Sequence, residues 1–273
     1  MIPALFEYAR AGSVEEAISL LGSNEDAKLL AGGHSLLPAM KLRVARPSML
    51  IDIGRLSDLS YIREDGDAVA IGALTRHHDV ANSDALHELC PIASYAAGQV
   101  GDPQVRHMGT IGGSVAHGDP AGDMPTVLLA LDATFVAQGP NGTRQIAAGD
   151  FFTSLFETAL KPNEVLTEVR VPKSAGRGWS YIKFNRRAQD WAIVGVAALN
   201  GGAPAIALTN MGLTPVRATA VEQALAGGAD PATAAQQAAE GTAPPDDAFA
   251  SAEYRRELAK VLVRRALEDA SGG

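Results

Sequence analysis

Two glycine doublets constrain this chain more than any other feature. Ala31-Gly32-Gly33-His34-Ser35 and Thr110-Ile111-Gly112-Gly113-Ser114 each set a Gly-Gly pair and a hydroxyl after an apolar, strand-like run. Glycine has no Cβ, so backbone N–H groups in such a turn can approach an anion closely, and the hydroxyl adds a donor. One doublet alone reads equally well as an ordinary strand-to-helix turn. Two of them, about eighty residues apart, suit a dinucleotide whose two phosphates are gripped from opposite sides of a cleft. The chain has no G-x-G-x-x-G string and no Walker lysine loop, so a Rossmann or P-loop site is excluded.

Composition narrows the class. A length of 273 residues allows two domains, or a cofactor-bearing domain with a smaller appendage. The net charge of −8 argues against a nucleic-acid binder, which needs a basic face. No apolar run reaches the ~18–20 residues that span a bilayer. Met1 to Arg10 lacks a basic segment followed by an apolar core, so no signal peptide is expected and the expected location is cytoplasmic. Cys90 is the single cysteine; it can form no intrachain disulfide and cannot hold an iron–sulfur cluster, which needs about four thiolates. Its expected role is a buried, inert thiol. The adjacent pair His77-His78 has neither helical nor strand metal spacing, so it is expected to face solvent and no metal site is predicted.

Ser13-Val14-Glu15-Glu16 is a capping box opening a helix to about Leu21. Ala27–Ala31, Met49–Ile53 and Val69–Leu74 read as strands, and His78–Val100 as mostly helical. Thr134–Phe151 reads as a hairpin about Pro140-Asn141-Gly142. Val165–Val171 is a further strand, and Ser174–Gly178 a linker. Beyond it lie strands Trp179–Phe184, Ala192–Leu199 and Pro204–Thr209, with a turn at Asn200-Gly201-Gly202. Thr214-Pro215 has the cap-then-proline form of a helix start ending at Gly227-Gly228. An alanine-rich helix to about Glu240 follows, then a final helix from Ser251 to about Asp269 with the stripe Tyr254, Leu258, Val261, Leu262 and Ala266. The expected class is α+β: two small subdomains up to residue 172, then a third unit.

The segments AGGHSLLPAMKLR (31–43), GTIGGSVAHGDPAGDMP (109–125), EVLTEVRVP (164–172) and KFNRRAQDWAIVGVAA (183–198) resemble the FAD-binding medium subunit of molybdenum hydroxylases, the family of the carbon monoxide dehydrogenase medium chain and of xanthine dehydrogenase flavin subunits. The resemblance runs over essentially the whole chain, in order and spacing. It implies a PCMH-type FAD-binding domain over 1–172, with subdomains at about 1–56 and 57–172, and a smaller α+β domain over 173–273 with an antiparallel sheet and helices. It implies that Ala31, Gly32, Gly33, His34 and Ser35 form the first pyrophosphate loop, with Leu36, Leu37 and Pro38 continuing along FAD. Thr110, Ile111, Gly112, Gly113 and Ser114 form the second; relatives often carry Asn at the place of Ser114, and serine has a shorter reach. Asp123 stands where the family binds a cofactor hydroxyl, Leu166 where main chain meets adenine, Lys183 where a basic side chain nears the flavin, and Trp191 where a bulky side chain lies beside the ring.

Plainer readings stand beside these. Asp119 and Asp123 also suit the cap of an apolar helix over Thr126–Leu131, and Trp191 suits a core. His34 suits a hydrogen bond rather than a covalent flavin link. Arg186-Arg187 is a solvated pair, a charge that tunes the flavin, or a partner contact.

The chain carries no acid–base constellation for an organic substrate. A flavin takes electrons singly and passes them on in pairs, so the resemblance implies an electron-transfer subunit. It would draw on the [2Fe–2S] clusters of a small subunit, beside a large molybdenum–pterin subunit, in a dimer of heterotrimers. NAD, a quinone or another carrier would be the acceptor. The alternative is a self-sufficient FAD-dependent oxidase or reductase of the wider PCMH-type superfamily. Those enzymes use a larger capping domain or a covalent link, and Cys90 lies outside both glycine motifs.

Overall fold

In the computed structural model, which describes residues 1–272, the capping box forms as its spacing implies. The Ser13 hydroxyl accepts the Glu16 N–H at 3.2 Å, and the Glu16 carboxylate reaches back to the Gly12 N–H at 2.7 Å. Two orphan donors are thereby satisfied at the start of α1 (Val14–Ser23). This helix covers a parallel sheet of β1 (Glu7–Arg10), β2 (Ala27–Leu30) and β3 (Met49–Asp52), in the order β1-β3-β2. The first glycine doublet lies between β2 and a short helix α2 (Leu36–Lys41).

The second sheet is antiparallel, with β4 (Ile62–Asp65), β5 (Ala68–Gly72), β6 (Thr134–Gly139), β7 (Gly142–Ala147) and β10 (Val165–Pro172) in the order β4-β5-β10-β6-β7. A small hairpin, β8 (Phe152–Ser154) with β9 (Glu157–Thr158), adjoins it. The expected hairpin forms at Pro140-Asn141, with Gly142 at φ 103°, a value open to glycine. Between β5 and β6 run α3 (His77–Ala81), α4 (Asp84–Leu89), α5 (Pro91–Gly98), α6 (Pro103–Met108), α7 (Ile111–His117) and α8 (Asp123–Ala130); α9 (Ala148–Phe151) follows β7. The expected helical stretch after His78 is thus broken at Ser83 and Cys90, each of which caps a new helix.

The third sheet is antiparallel in the order β11 (Trp179–Phe184), β12 (Val194–Leu199), β13 (Ala205–Thr209) and β14 (Val216–Arg217). Its central strands are buried on both faces. Ala197, Leu199, Ala205 and Ala207 enter the core shared with α5 and α8. Val194, Val196, Ala198, Ile206 and Leu208 enter a second core under α10 (Thr219–Ala226), α11 (Pro231–Ala235) and α12 (Ala252–Ser271). Two buried faces explain why these strands read as unbroken apolar runs. Every residue of α8 is buried, and its Thr126 hydroxyl meets that of Thr209 at 2.8 Å. The class is α+β, as expected. No helix among the described residues is long and apolar enough to cross a membrane.

Three expectations fail for tertiary reasons. Thr214-Pro215 starts no helix: Val216 and Arg217 pair with Leu208 and Ala207 as a fourth strand, and the helix begins only at Thr219. The alanine-rich helix stops at Ala235. On α12 the buried face is Arg255, Ala259, Leu262, Val263, Ala266, Leu267 and Ala270, while Tyr254 and Val261 are exposed. The stripe turned because Arg255, 1% exposed, counts as core: its guanidinium bonds the Asp247 carboxylate at 2.7 Å and the Ile193 carbonyl.

Arg255→Ala removes a large buried side chain together with both partners' hydrogen bonds. It is expected to lower unfolding free energy by about 3 kcal/mol, read from urea denaturation.

Candidate cofactor site

The first glycine doublet seats on the backbone just ahead of the second. A Cβ on Gly32 would strike the Met108 carbonyl oxygen and lie 2.8 Å from Gly109 Cα. Only glycine lets the β2–α2 loop seat on the backbone that leads into the second motif. Gly33 has φ +76°, a left-handed value, and a Cβ there would also press on Leu37 at 2.9 Å. Among the described residues, the N–H groups of Gly32, Gly33, His34 and Ser35 donate to no protein acceptor. The Ser35 hydroxyl makes no capping bond. His34, Ser35, Leu37 and Pro38 are exposed, and Ala31 and Leu36 partly so. Uncommitted amides in a row that includes a left-handed glycine have the chemistry of an anion cradle, and the residues present fit the diphosphate of a dinucleotide.

The second motif is built differently from the expectation. It follows α6 rather than a strand, and its doublet lies in the first turn of α7. Its amides are already committed: Ile111 N–H donates to Thr75 O at 3.0 Å, Gly112 to Ala73 O at 2.9 Å, Gly113 to the Thr110 hydroxyl at 3.0 Å and Ser114 to Thr110 O at 3.0 Å. Gly112 is needed for packing, since a Cβ there would lie 2.6 Å from Ala73 O. What the motif presents outward is the exposed Gly113 backbone and the partly exposed Ser114. Leu166 is buried beside a bulge in β10. The neighbouring Thr167 carbonyl accepts the Ala73 N–H at 2.9 Å, which ties this strand to the same Ala73 that holds Gly112.

Asp123 and Lys183 are brought together, whereas Trp191 lies apart on a loop. Asp123 is the first residue of α8, so the helix starts three residues earlier than expected. It is 7% exposed, with the Tyr181 hydroxyl at 2.6 Å and the Lys183 ammonium at 2.9 Å, one on each carboxylate oxygen. Lys183 also donates to the Gln99 carbonyl at 2.9 Å. Burial pushes the Asp123 carboxyl up despite Lys183, and burial beside Asp123 pushes the Tyr181 hydroxyl well above its ordinary range. Asp119 instead caps its own turn, accepting the Ala121 N–H at 2.8 Å. Trp191 is 67% exposed and so not a core residue. Its loop is tethered by Asn210, whose amide donates to Ala192 O at 2.9 Å and whose backbone N–H donates to Pro120 O at 2.7 Å. Tyr181 and Asn210 escaped sequence reasoning: one lies in an unremarkable strand, and the other's φ of +60° has no signature beyond being asparagine.

Arg187 pairs with Asp190 at 3.0 Å, and Arg186 lies over the Phe249 ring. Cys90 is buried and its thiol is pushed up by burial, as expected of an inert group. His77 and His78 part company. His78 stacks on His107 with centroids 4.0 Å apart. His77 is buried against Gly109, 2% exposed, contrary to the solvent-facing expectation, because adjacent residues at a helix start point about 100° apart. Among the described residues no cluster of His, Cys, Asp or Glu could hold a metal.

Residues 4–174 match the model of the FAD binding domain in molybdopterin dehydrogenase. The chain belongs to that family. Residues 179–270 match the CO dehydrogenase flavoprotein C-terminal domain. The carbon monoxide dehydrogenase medium chain of Hydrogenophaga pseudoflava is 45% identical over 282 residues, covering 99% of this chain and 98% of its own. The glyceraldehyde dehydrogenase medium chain of Sulfolobus acidocaldarius is 39% identical, covering 98% and 99%. Among solved structures, the carbon monoxide dehydrogenase from Hydrogenophaga pseudoflava superposes with a TM-score of 0.96 at 46% identity over 100% of this chain and 99% of that one. Quinoline 2-oxidoreductase from Pseudomonas putida 86 gives 0.92 at 31%, with the same coverage. The protein is therefore an oxidoreductase subunit with an FAD-binding domain, and the resemblance seen in the four segments holds along the chain.

Burial lowers the His77 imidazole from 6.5 to about 4, with the Arg106 charge adding to the effect. A depressed folded value gives stability that is complete above pH 6.5 and is lost as pH falls toward 4. Between pH 7 and pH 5 the loss is expected to be about 2 kcal/mol. Urea denaturation at the two pH values checks this, and His77→Asn should flatten the difference.

Proposed function

We infer that this chain is the flavin-bearing electron-transfer subunit of a heterotrimeric molybdenum hydroxylase. A small subunit with [2Fe–2S] clusters supplies the electrons, a large molybdenum–pterin subunit transforms the substrate, and an external acceptor drains the flavin. The single cysteine supports this division of labour, because one thiol cannot hold a cluster. The names of the relatives support it too: each is the medium chain of a dehydrogenase. The trimers pair as a dimer of heterotrimers in the cytoplasm. Within the chain, residues 1–172 form the FAD-binding domain, with subdomains at about 1–56 and 57–172, and residues 173–273 form the C-terminal domain.

The observation that carries the reading is the row of uncommitted amides from Gly32 to Ser35, seated on the backbone of the second motif. When bound, FAD supplies the exchange between one-electron and two-electron carriers. The first loop would hold its diphosphate through those N–H groups and the Ser35 hydroxyl, with Leu36 to Pro38 alongside. The second loop contributes Gly113 and Ser114 on the turn set by Thr110, Ile111 and Gly112. Leu166 offers main chain to the adenine. Asp123, held in place by Tyr181 and Lys183, would meet a cofactor hydroxyl. The exposed Trp191 would lie beside the ring system, and the Lys183 side chain would near the flavin.

Two measurements test this. The chain captured from native extract should bring two further polypeptides, with molybdenum and iron in fixed ratio to FAD; FAD with neither metal overturns the heterotrimer. Gly33→Glu should yield a colourless protein that keeps its far-UV circular dichroism, since a side chain strains the left-handed loop and its carboxylate repels a diphosphate. Undiminished flavin absorbance in that variant overturns the placement of the first loop.

A further inference from the structure

We propose that Arg76 is a phosphate-binding residue, the counter-charge of the diphosphate at the seam between the two glycine motifs. This rests on the FAD reading above and adds a residue to it. The segment Thr75–His77 runs antiparallel to Gly109–Ile111: His77 N–H donates to Gly109 O and Ile111 N–H to Thr75 O, both at 3.0 Å. Arg76 stands directly opposite Thr110 in that ladder, and directly opposed residues project to the same side. Thr110 is the residue whose hydroxyl starts α7. The Arg76 guanidinium then donates through Nη1 to the Met108 carbonyl, the same carbonyl that a Gly32 Cβ would strike. Its tether thus ends where the first loop seats on the second.

Only one of its five N–H donors is committed among the described residues, and Arg76 has no carboxylate partner there. Other arginines, Arg10 and Arg55 among them, also lack a carboxylate partner among the described residues; Arg76 differs in lying at the seam of the two motifs, and three further arginines are committed elsewhere. Arg144 lies on Glu164 at 2.8 Å, Arg255 on Asp247 at 2.7 Å, and Arg106 spends Nη1 on the Val100 and Gly101 carbonyls at 3.0 and 3.2 Å. The Arg76 guanidinium is partly exposed, so its remaining donors are open to a ligand. The amides of Gly32 to Ser35 donate hydrogen bonds but carry no net charge. A diphosphate brings about two negative charges, and a planar guanidinium meets phosphate oxygens in pairs. Arg76 supplies what the amides lack.

The test is titration of the flavin-free full chain with FAD, ADP and riboflavin, followed by fluorescence quenching or calorimetry. Arg76→Met should weaken FAD and ADP by roughly ten- to a hundredfold and leave riboflavin, which has no phosphate, unchanged. Arg76→Lys keeps the charge and should fall between. Added salt should weaken FAD binding more steeply in the wild type than in Arg76→Met. FAD affinity in Arg76→Met within twofold of the wild type overturns the proposal, as does an equal loss for riboflavin, the mark of a collapsed loop. Should Arg76→Met fold poorly, the salt slope of Arg76→Lys decides: a slope matching the wild type supports the charge role, and a flat one overturns it. A wild-type chain that binds no FAD removes the reading beneath, a different failure from a variant that binds as the wild type does.

Discussion

The approach of Gly32 to the Met108–Gly109 backbone is the contact on which the rest of the structure depends. Backbone against backbone leaves no room for any side chain, so the loop after β2 can seat on the Met108–Gly109 backbone only with glycine at this position. From there a short relay runs inward. Gly109 accepts from His77, Ala73 O accepts from Gly112, and Ala73 N–H donates to Thr167 O. Each link is a buried main-chain bond, the class of interaction that is expensive to leave unmade. A loop from the parallel sheet, the start of α7 and the bulge of β10 are thus held as one body. A cradle for an anion gains most when its donors are already placed, because no ordering entropy is then spent on binding.

Much of this was legible, for reasons that can be named. Gly32, Gly33 and Gly112 announce themselves because no other residue tolerates the approach or the positive φ. Ser13 with Glu16, and Ser251 ahead of α12, announce helix starts because side-chain oxygen at the cap satisfies N–H groups that nothing else reaches. What stayed hidden depends on distant partners. Thr214-Pro215 carries a helix-start pattern, yet Val216 and Arg217 lie against β13 and complete the sheet. Arg255 reads as a surface residue until Asp247 and the Ile193 carbonyl are placed beside it. The second glycine doublet looked like the first, but its amides were already engaged by Thr75, Ala73 and Thr110. A doublet signals close backbone approach; it does not say which backbone is approaching.

The Asp123–Lys183 pair illustrates how a buried charge can matter without adding stability. Lys183 is 5% and Asp123 8% exposed at the side chain. Removing both from water costs several kcal/mol, which their mutual attraction and the Tyr181 hydrogen bond do little more than offset. The gain is positional. Asp123 begins α8 and Lys183 lies on β11, sixty residues apart in sequence. The pair therefore fixes the angle between the helical layer and the C-terminal sheet that carries the Trp191 loop. Apolar contacts would tolerate a slide of an ångström or so; two oxygens each matched to one donor do not.

The same logic applies to the anion cradle of an acidic protein. The net charge of −8 repels a diphosphate at long range, but water and salt screen that field beyond a Debye length of about 8 Å at physiological ionic strength. Within the loop the nearest groups are N–H dipoles at Gly32 to Ser35 and the guanidinium of Arg76, with low-dielectric main chain behind them. Short-range donors dominate there because their interaction grows as distance falls while the global term stays screened. An acidic surface and an anionic ligand are compatible once the site is built from backbone.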